Sequence, residues 1–355
     1  MKLWDRFWWF VPLLIIVSAS IAAVTVLNPP KPKPVAKTVP IPTCMGTNET
    51  SFSCWQKRYQ KVVTTQSPEA AMAALKADAH KVPYVNSNCH QMTHVIGRAS
   101  AQIYVSVAAT YKHGDNYCWS GYYHGAIETI AQKIGSDKIL SQINSVCADL
   151  AKEKQYGFDH FNCVHGMGHG LMAIQDDQLF TALKSCDSFE GNWQQESCYG
   201  GVFMENVMDA IHHPLTGSPY LKTDDPIYPC NAVEDRYKEQ CFLMQTSHML
   251  SVEGGDYSKV FALCATVDAP YNDTCDQSLG RDASGNSSSN QATTIEHCEL
   301  GATTEAKKNC FTGAVKDFMS YYHSDKQAYA MCAAIPEPEL AASCHADGEA
   351  YYKIF

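Results

Sequence analysis

From Phe7 to Leu27 the chain is apolar but for Pro12 and a few small hydroxyl residues, and Lys2 and Arg6 precede the run. A helix rising about 1.5 Å per residue over that stretch crosses a hydrocarbon core of about 30 Å. Trp4, Trp8 and Trp9 stand where indoles settle among lipid headgroups. The length favours an uncleaved transmembrane anchor over residues 7–27, with residues 1–6 cytoplasmic. A cleaved signal peptide is the alternative, because Ser18-Ala19-Ser20 and Ala22-Ala23 are small enough for a cleavage site. Either way, the rest of the chain is exported to a periplasmic, extracellular or lumenal space. Residues 28–43 then alternate Pro, Lys and Val, a composition that predicts an extended, polyproline-like spacer.

Beyond residue 44 the pattern changes again. Apolar residues recur three and four apart in Lys138–Cys147, Leu179–Cys186 and Val260–Cys264, the spacing of one helix face. The region 44–355 is therefore expected to be all-α, as one large domain or a repeat array.

The chain carries 16 cysteines, with no CxxC pair that would suggest a zinc ribbon or a thioredoxin-type site. An even, regularly spaced set in an exported chain reads as disulfides. Taken in order the cysteines fall into short steps: Cys147/Cys163, Cys186/Cys198, Cys230/Cys241, Cys264/Cys275, Cys298/Cys310 and Cys332/Cys344. By the same logic Cys89 pairs with Cys118 and Cys44 with Cys54. In the C-terminal half the second members repeat every 34 or 35 residues (Cys241, Cys275, Cys310, Cys344).

The residues after these cysteines repeat too. Cys118-Trp-Ser-Gly-Tyr-Tyr-His-Gly, Cys163-Val-His-Gly-Met-Gly-His-Gly, Cys198-Tyr-Gly-Gly-Val-Phe-Met-Glu and Cys310-Phe-Thr-Gly-Ala-Val-Lys-Asp share one frame. A period in the mid-thirties holds two helices and two turns. The expectation is a disulfide-stapled helical-hairpin array, α-solenoid-like, in which one helix ends at the first cysteine of a pair and the next begins at the second. The glycine three residues on would let neighbouring helices approach closely. The period resembles that of tetratricopeptide and related two-helix repeats, a likeness of architecture without their signature residues.

Three successive copies carry candidate ligands. His90-Gln-Met-Thr-His94, His124-Gly-Ala-Ile-Glu128 and His165-Gly-Met-Gly-His169 each place two ligand side chains four residues apart, on one face of a helix. Neutral imidazole suits zinc, copper, iron and nickel. His90, His94, His124, His165 and His169 are thus candidate ligands of a transition metal: zinc if the chemistry is hydrolytic, iron or copper if it is oxidative. Glu128 is either a further ligand or a general base that activates a metal-bound water. A solenoid with His and Glu on its inner helices is similar in kind to deoxyhypusine hydroxylase, which holds two irons that way, although the His-Glu dipeptides of that family are absent. The competing reading makes these histidines helix caps or packing residues, and the glycines around His165 and His169 argue for a loop there. Met204 takes the histidine position of the fourth copy and Glu205 follows it. His248 is a candidate distal member of the site, and His160 reads as a surface or capping residue.

A formal charge of −10 argues against a nucleic-acid partner. Two functions compete: a metal-binding protein that is a candidate metal-dependent enzyme, and a scaffold that binds a protein or peptide on the solenoid face. The frame position holds His124 and His169 early but Lys316 late. That asymmetry favours a site in the N-terminal copies, with the C-terminal half structural or partner-binding.

Overall fold

In a computed structural model the described residues are 40–104, 106–212, 218–287, 289–322 and 324–352. They are helical, with no strand among them. The expected anchor over 7–27 and nearly all of the spacer lie outside them. No helix among the described residues is long and apolar enough to cross a membrane.

All eight cysteine pairs read from the spacing are bonded, and no cysteine is free. Eight disulfides point to an oxidising, extracytoplasmic environment.

Nine longer helices form the frame: α1 (Phe52–Thr65), α2 (Cys89–Ile103), α3 (Gly121–Ile134), α4 (Phe158–Ile174), α5 (Asn192–His212), α6 (Asp235–Val252), α7 (Tyr271–Asn286), α8 (Thr304–Tyr322) and α9 (Pro338–Tyr352). Each packs on the next in chain order. Shorter helices lie between them. Three of these, Tyr257–Cys264, Gln291–Cys298 and Asp325–Ala333, begin after Asp256, Asn290 and Ser324, whose side chains accept a backbone N–H of the first turn. Each carries the first cysteine of its pair, Cys264, Cys298 or Cys332, at or beside its end.

Helices α4 to α9 start four to six residues before the second cysteine of their pair, not at it. Acidic residues in the first turn, Asp159, Asp235, Asp273, Glu305 and Glu339, suit the positive end of the helix dipole and carry the helix back past the staple. Cys89–Cys118 also departs from the expected plan. It joins the first residue of α2 to the turn before α3, so it links two neighbouring long helices.

Glycine sets how near those helices come. A Cβ at Gly97 on α2 would overlap the Tyr122 carbonyl of α3, and one at Gly125 would overlap the His94 carbonyl in return. The same reciprocal contact joins α4 to α5, through Gly168 and Gly201, and α7 to α8, through Gly280 and Gly313. Residues 165–169 are accordingly helical rather than a loop. Gly166 and Gly170 face α3 while Gly168 faces α5, so close packing on both sides outweighs a propensity penalty of about 1 kcal/mol per glycine.

Consecutive packing alone describes an open row with separate ends, and here the contacts differ from that. Trp119, just before α3, donates its indole N–H to Oδ1 of Asp317 on α8 at 2.9 Å, and its ring lies 5.2 Å from Tyr321. Helices α3 to α9 all contribute to the lining of one cavity of about 490 Å³. The curvature that joins residues nearly 200 positions apart is set by packing between helices, which a sequence period does not record.

Candidate metal centre

Helices α2, α3 and α4 bring all five predicted imidazoles together. His90, His94 and His124 form one group whose ligand nitrogens lie within 4.8 Å of one another, and His124, His165 and His169 form a second. His124 belongs to both. The rings of His124 and His169 are stacked with centroids 4.8 Å apart, and His94 lies 5.6 Å from each of them. His94, His124, His165 and His169 are at most 4 % exposed.

Within each i, i+4 pair the rings meet through their Nε2 atoms, at 3.1 Å for His90 and His94 and 3.4 Å for His165 and His169. Two imidazoles on one tetrahedral ion, with bonds of 2.0–2.1 Å, hold their nitrogens about 3.3 Å apart. An N–H···N bond satisfies each pair as well. It does not reach Nδ1 of His124, which is buried without a hydrogen-bond partner.

Two of the rings have their outward nitrogen engaged, which leaves their Nε2 facing inward. His90 Nδ1 is 2.8 Å from the Cys118 carbonyl, and His169 Nδ1 is 2.5 Å from Oε2 of Glu205 on α5. Such outward partners fix the tautomer and ring plane of a metal-ligating histidine. Glu128 sits with Oε1 4.0 Å from Nδ1 of His94, and its Oε2 pairs with Nε of Arg98 at 2.7 Å. Its carboxylate is not part of either histidine group.

The Cys118 carbonyl is aimed at His90 by an unusual turn. Cys118, Trp119 and Ser120 have φ of 56°, 53° and 61°, three consecutive left-handed residues without a glycine among them. Each costs about 1–2 kcal/mol. The Cys89–Cys118 bond and the Trp119–Asp317 hydrogen bond hold the turn.

Burial favours the uncharged form of three of the five imidazoles. It holds His124 far below the usual histidine range, reinforced by the imidazoles around it, and does the same to His165. For His169, burial and then Arg98 bring the value down to about 3. Neutral imidazole is the ligating form, so these rings need no deprotonation at neutral pH to accept an ion. Burial pushes Glu128 the other way, up to about 7, against the pull of Arg98.

The remaining candidates fall elsewhere. His248 bonds the Lys222 carbonyl at 3.0 Å and lies in neither group. His160 is buried rather than at the surface, with its ring centroid 4.9 Å from that of Trp193. Met204 lines the cavity. The sequence reading passed over Arg98, although His90, His94 and Arg98 form one stripe at four-residue spacing. It also took the C-terminal half as structural or partner-binding, whereas Arg281, Lys316 and Asp317 line the same cavity as His124 and His165.

Comparison with protein-family models, with curated protein sequences and with solved structures found no match for this chain.

Proposed function

We propose that this is an extracytoplasmic metal-binding protein whose five-histidine cluster holds a transition-metal ion. The observation that carries the reading is the pair of overlapping three-histidine groups, buried and sharing His124. The donor set is all imidazole nitrogen, which suits zinc and leaves iron and copper as the other candidates. His90, His94, His124, His165 and His169 would be the ligands, and Glu205 and the Cys118 carbonyl would orient His169 and His90. Glu128 is assigned to positioning His94 rather than to proton transfer, because Arg98 and His94 flank its carboxylate and it does not line the cavity.

His124 and His165 both reach the cavity, so an ion held there would be open to a small molecule inside it. That opening supports an enzyme over a scaffold. When bound, zinc would supply Lewis acidity.

Elemental analysis of the purified chain, refolded in the presence of zinc, iron and copper in turn, tests the proposal. At least one ion per chain is expected, and none in a His124→Ala, His165→Ala double variant. A folded wild-type chain with no stoichiometric metal would sink it. Replacing Glu205 by Ala should weaken metal affinity by about 10–100-fold, the usual effect of losing an outer partner.

A further inference from the structure

The cavity has a second polar pole. Arg281 on α7 and Lys316 on α8 reach its lining from the register held by His124 on α3 and His169 on α4, six residues after the stapled cysteine. The two cations differ in what surrounds them. The guanidinium of Arg281 is taken up by Oδ1 of Asp282, at 2.6 and 3.0 Å, by Ser247 Oγ at 2.8 Å and by the Leu243 carbonyl.

Lys316 has no such neutraliser. Its Nζ donates to Oε1 of Gln277 at 3.0 Å, a neutral acceptor, and it forms no ion pair among the described residues. Asp317, next in the chain and also in the lining, has Oδ1 taken up by the Trp119 indole N–H. Burial draws the Lys316 ammonium below its usual range, with Asp347 and Glu239 acting the other way. A partly buried charge held only by an amide lacks the counter-ion that such groups normally have.

Much of the remaining lining is apolar and aromatic: Trp119, Phe161, Trp193, Met204, Leu243 and Met244. About 490 Å³ bounded by such residues, with a few polar groups placed around it, is the size and character of a small-molecule site. We propose that the cavity binds an amphipathic organic anion, its carboxylate or phosphate on Lys316 and its apolar body between the indoles of Trp119 and Trp193. The binding stands on the cavity alone. That the bound molecule is presented to a metal, and so is a substrate, rests on the function proposed above.

Titration of the purified full chain with 4-phenylbutyrate, phenyl phosphate and neutral 4-phenylbutanol, read by calorimetry and indole fluorescence, tests this. At least one anion should bind ten or more times more tightly than the alcohol, and the two anions separate a carboxylate site from a phosphate site. Lys316→Gln should abolish that preference and Lys316→Arg should keep it, with circular dichroism confirming the fold of each. Equal affinity of anions and alcohol in the unaltered chain overturns the proposal without any variant, as does a folded Lys316→Gln chain that retains the preference. Repeating the titration on a His165→Ala, His169→Ala chain separates the two readings. Anion preference that survives there upholds the cavity assignment whatever the metal analysis gives, and preference lost there while Lys316 is intact counts against it.

Discussion

Helices α3 and α4 and helices α7 and α8 line one cavity, are built to one plan and carry opposite chemistry. Each follows or contains a stapled cysteine, and backbone contact at glycine ties each to a long-helix neighbour, α3 to α2, α4 to α5, and α7 to α8. Six residues past that cysteine stand His124 and His169 in the first pair, Arg281 and Lys316 in the second. The buried ionisable groups respond alike in both places. Burial pushes the imidazoles down, to about 3 for His169, and pushes the Asp317 carboxyl up, to about 6. In each half the uncharged form is favoured, although the pKa values move in opposite directions. The frame is thus common to both halves, and the register position six residues past the cysteine differs between them.

The largest effect that can break this contrast is the loss of the shared imidazole. His124→Ala removes a ligand from both groups, and metal affinity should fall by more than about 1,000-fold, or about 4 kcal/mol. Lys316→Gln should leave metal affinity unchanged. Competition with a fluorescent chelator measures both, and equal losses would show that the two halves are not chemically separate.

Next comes Asp317, whose folded pKa lies above that of the unfolded chain. Between about pH 4 and pH 6 the folded state holds more protons than the unfolded one, so stability falls as pH rises through that window and stays reduced above it. Asp317→Asn keeps an acceptor for Trp119 and has no proton to lose. It should be more stable than wild type by about 3 kcal/mol at pH 8, taking about 1.36 kcal/mol per pKa unit, and nearly equal to it at pH 4. Urea unfolding at the two pH values checks this.

The smallest effect probes what the halves share. Gly201→Ala on α5 and Gly313→Ala on α8 each drive a methyl group into a carbonyl oxygen of the neighbouring helix, His165 and Gln277 respectively. Both should lose about 1–3 kcal/mol of stability, the usual cost of overpacking. A loss confined to one of them would mean that the frame is not common to both halves.

Much of the frame was legible because its signals are local. A disulfide between residues 11 or 12 apart leaves its spacing in the sequence, and so does a pair of histidines on one helix face. The caps Asp256, Asn290 and Ser324, 34 residues apart, carried the same period and were within reach of the same reading. Closure was not legible. Nothing near Trp119 announces a partner at Asp317, and three left-handed residues without glycine give no turn signal. Reading the chain as a line therefore put the cations of α7 and α8 far from the histidines, when packing between successive helices brings both to one cavity.

The Cys89–Cys118 bond has a consequence for the order of events. It joins two histidine-bearing segments 29 residues apart, with His90 one residue past one sulfur and His124 six past the other. An oxidised chain that has not yet folded still keeps His90, His94 and His124 within a short tether of one another. Under the proposed metal binding, an ion would be captured while the helices are still assembling, and that binding to the unfolded chain would reduce how much the metal adds to the stability of the finished one.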